Sequence, residues 1–175
     1  MQWPTPYRTR RRPERPTLGT QTRAVCALLG VTPHPAQLYA ADVAGELIPD
    51  PDEPGEWMLA YDEVVLSVPR RGGKSLGALT ELVRCAVEGP GQRGYYTAQS
   101  RSDAARQLVE DWMPLCEDAP GFTTERGDPD RVVIETRRAN GSDRLTFVEP
   151  HQAPSSIGVF APREKALHGT YGDRI

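Results

Sequence analysis

The most informative stretch of this chain is Val68-Pro69-Arg70-Arg71-Gly72-Gly73-Lys74-Ser75. Before it, residues 63–68 form a near-continuous apolar run, which predicts a strand buried on both faces, as in a parallel sheet. After it, residues 75–87 carry apolar side chains at helical spacing, namely Leu76, Leu79, Leu82, Val83 and Ala86. Strand, glycine turn and helix form the first half of a βαβ unit.

The residue types in this turn suit a bound phosphate. Gly72 and Gly73 allow backbone amides to approach phosphate oxygens, Lys74 supplies a positive charge, and Ser75 offers a hydroxyl to magnesium. The pattern G-x-x-x-x-G-K-[ST] is met in its second half, whereas Val68 stands where the first glycine belongs. The competing interpretation is a basic turn that merely ends a strand.

Positive charge is concentrated locally, although the net charge of the chain is -3. Arg70 and Arg71 add two cations to the glycine turn, and such a loop indicates a polyanionic ligand. The second basic cluster lies between prolines near the N-terminus and comprises Arg8, Arg10, Arg11, Arg12 and Arg15. Residues 1–17 are therefore predicted to be a disordered Arg/Pro-rich tail that either stays solvated or touches phosphates, and residues 18–175 to be the ordered domain.

Composition excludes several classes of protein. Apolar residues make up 38% of the 175 residues, and no apolar run reaches the eighteen that a membrane-spanning helix needs. The three cysteines contain no C-x-x-C pair, so neither a disulfide framework nor a zinc site is indicated, and a reducing cytoplasm fits. The content of 16 glycines and 17 prolines predicts long loops.

The remaining patterns alternate between helix and strand. Helices are predicted at 35–48 and at 102–115, the second with Ser102 as its N-cap. Strands are predicted at 57–61, 94–98, 131–136, 144–148 and 157–161. The Asn140-Gly141 pair predicts a hairpin between the strands at 131–136 and 144–148.

The glycine turn, with its arginines and without the first glycine, resembles the deviant Walker A loop of the large terminase subunits of tailed bacteriophages. Four further segments resemble motifs of that family in the same order. They are Pro35-Ala36-Gln37, Tyr96-Thr97-Ala98-Gln99-Ser100-Arg101, Arg138-Ala139-Asn140-Gly141-Ser142 and Ala161-Pro162-Arg163-Glu164-Lys165-Ala166-Leu167-His168-Gly169. The resemblance extends from about Gln37 to the C-terminus.

The resemblance implies an α/β fold, namely a three-layer P-loop NTPase of the ASCE type with a mostly parallel central sheet. It implies ATP and Mg²⁺ as cofactors, with Ser75 as the magnesium ligand. The nucleotide-binding residues would be Gln37, Arg70, Arg71, Gly72, Gly73, Lys74 and Ser75, with Gln37 reading the edge of the base. Such a chain would be the ATP-binding part of the motor that packages viral DNA into procapsids. Its partners would be double-stranded DNA, the small terminase subunit, the portal and further copies in a ring, all in the cytoplasm of a bacterial host and away from any membrane.

Some parts of the family pattern are missing from the sequence. The Walker B strand and its Asp-Glu pair would follow Ile175, so the sheet is expected to be incomplete at that end, the catalytic residues are unknown, and little hydrolysis of ATP is expected. Glu135 follows an apolar run but has no preceding aspartate, so it is not taken as a substitute. The residue that reaches a neighbouring subunit's ATP is left open among His168, Arg163 and Arg101.

Two further expectations follow from the missing strand. Residues 63–68 would lack a neighbouring strand, so the isolated chain is expected to associate with itself. The alternative function is a non-hydrolysing nucleotide-binding or assembly fragment of a split or interrupted terminase gene.

Overall fold

The structure is a computed structural model, and it describes residues 9–68, 72–126, 131–139 and 142–160. Its helices are α1 (Gly19–Leu28), α2 (Pro35–Ala44), α3 (Lys74–Glu88), α4 (Arg101–Arg106) and α5 (Met113–Glu117), with a π-helical turn (Gln107–Trp112) joining α4 to α5. Its strands are β1 (Leu47–Pro49), β2 (Trp57–Leu59), β3 (Arg93–Tyr96), β4 (Phe122–Thr123), β5 (Val132–Arg137), β6 (Arg144–Val148) and β7 (Ser155–Val159). The predicted α/β class is confirmed. Within these described ranges no helix is long and apolar enough to cross a membrane.

Five strands form the main sheet in the order β3-β7-β6-β5-β4, while β1 and β2 form a separate antiparallel pair. The pairs β3–β7 and β4–β5 are parallel, and β5–β6 and β6–β7 are antiparallel. The expectation of a mostly parallel sheet was therefore wrong. The reason is connection length, because the short links on either side of β6 permit hairpins and leave no room for the crossover that a parallel neighbour needs.

The core lies between the main sheet and the helices α3 to α5. Leu79, Val83 and Ala86 of α3 are buried in one cluster with Leu145 and Ile157 of the sheet. The ring of Tyr96 on β3 lies 4.5 Å from that of Trp112 in the π-helical turn, measured between centroids. The apolar stripe that the sequence predicts on α3 is thus the contact that fixes this helix on the sheet.

Residues 63–68 differ most from expectation. They form no strand, and Val65 is 83% exposed where a doubly buried strand was predicted. The predicted βαβ unit is therefore not formed in the described residues: α3 and β3 are present, but the parallel neighbour of β3 is β7 and not residues 63–68. A buried strand needs sheet neighbours on both sides, and the described residues supply none here.

Smaller differences concern the ends of elements. Helix α2 ends at Ala44 because Gly45 follows and Leu47 already pairs with β2. Ser100, not Ser102, caps α4, since its side chain accepts a hydrogen bond from the Asp103 amide at 3.1 Å. The short strands β1 and β4 were not anticipated.

The N-terminal segment is held by one buried carboxylate. Glu46 is fully buried, accepts from the Arg12 amide at 2.7 Å, and forms ion pairs with Arg11 and Arg15 at 3.2 Å. Burial alone would raise the pKa of Glu46, but hydrogen bonds from the Arg12 amide, Arg11 and the Tyr61 hydroxyl outweigh it, so the pKa lies below its usual value. Residues 9–17, which the sequence predicts to lie in a disordered tail, thus contact the rest of the chain through Glu46, and residues 1–8 lie outside the described part.

Candidate phosphate-binding loop

The glycine turn leads directly into α3, as the sequence predicts. Gly73 is the N-cap residue and has a φ of 77°, in the left-handed region that favours glycine. A Cβ at this position would meet the side chain of Gln37 at less than 3.0 Å. Glycine is therefore favoured here by the backbone conformation and by the close approach of the Gln37 side chain.

Lys74 is hydrogen-bonded to the residue that precedes the glycine turn. Its Nζ donates a hydrogen bond to the carbonyl oxygen of Val68 at 3.0 Å, across the intervening residues of the turn. Arg70 and Arg71 lie in that turn but outside the described residues, so their predicted phosphate contacts stay predictions. Gly72 lies beside Gly73 and is exposed.

The N-terminus of α3 presents free backbone donors. Gly73 provides no side-chain cap, and the first acceptor of the helix is the Gly73 carbonyl, which accepts from the Gly77 amide at 3.0 Å. The amides of Lys74, Ser75 and Leu76 therefore find no acceptor among the described residues. Together with the positive end of the helix dipole, they form a site that favours an anion.

The charge of Lys74 is unfavourable for the helix itself. A cation at the first position of a helix opposes the dipole, and neither the first nor the last turn of α3 carries a compensating residue. Within the described ranges Lys74 has no carboxylate partner, and its side chain is exposed. A residue that destabilises the helix in which it lies is typical of a functional position.

Gln37 supports the loop from α2. Its Nε2 donates to the carbonyl oxygen of Gly73 at 2.8 Å, and its Oε1 accepts from the His34 amide at 2.6 Å. This arrangement is part of a capping box at the start of α2, in which the His34 side chain accepts from the Ala36 amide. Base reading by Gln37 stays a prediction, whereas its hold on the loop is present in the structure and was not anticipated.

A cavity of about 510 Å³ opens beside the loop. Gln37 and Lys74 contribute to its wall. Most of the rest is apolar and includes Leu59, Leu66 and, from α3, Leu76 and Leu82. Its volume is within the range of small-molecule sites.

The other candidate residues lie apart from the loop or outside the described part. Glu135 is on β5, opposite Thr146 of β6, and forms an ion pair with Arg126. Strands β6 and β7 separate it from β3. Arg101 begins α4 and lies 3.9 Å from Asp143, while Arg163 and His168 are outside the described residues.

Metal-ligand clusters and reactive thiols do not add a second site in the residues that are described. No group of three or more His, Cys, Asp or Glu side chains is placed there to hold a metal ion. Burial raises the pKa of Cys116 to about 12, which keeps this thiol protonated and unreactive at neutral pH. Ser75 is half-buried in the first turn of α3. Its role as a magnesium ligand stays a prediction from the sequence.

Comparison of the chain with protein-family models, curated proteins and solved structures finds no match. The resemblance to terminases therefore rests on the motifs of the sequence.

Proposed function

We propose that this chain binds the phosphates of ATP, together with Mg²⁺, at the turn that begins α3. One observation carries the proposal: Lys74, which has no carboxylate partner among the described residues, donates to the Val68 carbonyl at the start of a helix that has no side-chain cap. The proposal includes a P-loop NTPase fold and, by the motif resemblance, the ATP-binding part of a terminase large subunit. Its setting would be the bacterial cytoplasm, with DNA, the small subunit and the portal as partners.

Each residue of the loop has a distinct task in this proposal. Lys74 exchanges the Val68 carbonyl for phosphate oxygens and neutralises their charge. The backbone amides at the start of α3 donate to the same oxygens, and the Ser75 hydroxyl would hold the magnesium ion. Arg70 and Arg71 add charge from the turn, and Gln37 keeps the Gly73 peptide in place through its hydrogen bond.

Binding without hydrolysis is the second candidate function, in line with a fragment of an interrupted motor gene. The observation that favours it is the position of Glu135 on β5. This carboxylate forms an ion pair with Arg126, and strands β6 and β7 separate it from β3. Hydrolysis requires a carboxylate that orients the attacking water near the γ phosphate. Binding and turnover therefore have to be measured separately.

Titration with a fluorescent ATP analogue tests the proposal. Lys74→Ala is expected to weaken binding tenfold or more, about 1.4 kcal/mol or above for a lost charge-assisted contact. The matched control is Arg106→Ala, which removes one exposed positive charge from α4, and its affinity should equal that of the parent. Equal titration curves for Lys74→Ala and the parent would refute the assignment of the loop.

A further inference from the structure

The segment 62–68, between β2 and the glycine turn, is an exposed apolar surface. Val64, Val65 and Leu66 are 53%, 83% and 44% exposed. No backbone amide or carbonyl of residues 62–67 bonds to any residue that the structure describes. Adjacent exposed aliphatic side chains with unpaired backbone groups are the features of a free strand edge, which recruits another strand.

The side chains of this segment already alternate as in a strand. Asp62, Val64 and Leu66 line the cavity beside α3, whereas the residues between them do not. An alternation of two is the period of extended backbone. A partner strand would therefore meet a nearly formed edge, and little conformational entropy would be lost on pairing.

The charges around the segment select its partner. In the sequence, Asp62 and Glu63 stand at its start and Arg70 and Arg71 follow its end, and the residues between them are apolar except Ser67. A parallel copy would place like charges opposite one another, whereas an antiparallel copy places acidic residues opposite basic ones. The segment is thus complementary to a second copy of itself.

We propose that two copies of this chain form a dimer by antiparallel pairing of their 62–68 segments. A two-fold axis perpendicular to the new sheet makes the interface isologous and places Leu66 opposite Leu66. In that register Val64 lies opposite Val68, and Asp62 opposite Arg70. Asp62, Val64 and Leu66 share the face that lines the cavity in each copy, so the apolar surface around Val64 and Leu66 would continue from copy to copy.

Sedimentation equilibrium of the full chain over a range of concentrations tests the proposal. The parent dimerises, and Leu66→Lys raises the dimer dissociation constant at least about tenfold, because two like charges meet at the axis. Val65→Lys is the matched control: it adds the same charge one residue away, on the other face, and changes the constant less than about threefold. A monomer at all concentrations, or equal effects of the two variants, would overturn the proposal.

Charge exchange tests the register without altering the apolar residues. Asp62→Arg sets like charges opposite each other and weakens the dimer, whereas Asp62→Arg combined with Arg70→Asp restores it. Failure of that restoration contradicts the register. Hydrogen exchange provides the last check: alternate amides between residues 64 and 68, those that face the partner strand, become protected as the dimer forms. If they are equally protected in dilute monomer, another part of the same chain covers the segment and the dimer proposal is wrong.

Discussion

Substitution of Gly73 by alanine tests how the loop is held in place. The left-handed backbone at this position costs a residue with a Cβ about 1 to 2 kcal/mol. The new methyl group would also collide with the side chain of Gln37, which must move away and give up its hydrogen bond to the Gly73 carbonyl. A hydrogen bond of this kind contributes about 0.5 to 1.5 kcal/mol. The two terms together predict that Gly73→Ala lowers the free energy of unfolding by about 1.5 to 3.5 kcal/mol.

The same helix provides a matched control. A Cβ at Gly77 meets nothing within 4 Å, and this glycine lies inside α3, where alanine is the better helix former by about 0.5 to 1 kcal/mol. Gly77→Ala should therefore stabilise the protein. The same change from glycine to alanine is thus expected to have opposite effects at positions 73 and 77. Urea denaturation followed by circular dichroism measures both changes.

A double-mutant cycle separates the two terms. Gln37→Ala removes the colliding side chain, so Gly73→Ala in that background should cost only the backbone strain, about 1 to 2 kcal/mol. ATP affinity should fall with Gly73→Ala in both backgrounds, because the donors of the turn are displaced. If Gly73→Ala is neutral in the parent, or costs as much without Gln37 as with it, the collision with Gln37 is refuted as the cause.

Four further outcomes are expected. Ser75→Ala should lower ATP affinity in the presence of Mg²⁺ more than in its absence, and equal losses would argue against a magnesium role for this hydroxyl. The purified chain should turn over ATP far below about one per second, and Glu135→Gln should change neither binding nor turnover; activity that this substitution abolishes would contradict the placement of Glu135. Because the folded-state pKa of Glu46 is lowered, its stabilisation is present above the usual value of 4.5 and is lost as pH falls through the folded pKa, so urea midpoints of Glu46→Gln should be lower than the parent's at pH 7 and converge with them in acid. The folded-state pKa of Cys116 is raised from 9.0 to about 12, so its contribution is present below pH 9 and is lost as pH rises toward 12; a Cys116→Ala variant should show a shallower alkaline decline in urea midpoints, and identical slopes would contradict the burial of this thiol.

Local patterns in the sequence were sufficient for the parts of the fold that depend on neighbours in the chain. The apolar stripe of α3, the glycine turn before it and the antiparallel pair β5–β6 all appear where residue spacing and the Asn140-Gly141 pair predicted them. The reason is that helical period, left-handed glycines and hairpin turns are satisfied within a few residues. The chemical groups that Lys74 and Ser75 offer to a phosphate and a magnesium ion are likewise evident from the sequence alone.

Tertiary structure decided everything that joins distant residues. The sequence places Gln37 near the start of a helix, but only the packing of α2 against α3 brings its amide to the Gly73 carbonyl. The sequence predicts a disordered tail for the arginines before Thr17. In the structure Arg11 and Arg15 form ion pairs with the buried carboxylate of Glu46, which is distant from them in sequence. The apolar run at 63–68 predicts a buried strand, yet burial depends on neighbouring strands, and the described part of the chain leaves this segment exposed. A residue's own pattern fixes its backbone preference, while its burial and its partners are set by what packs against it.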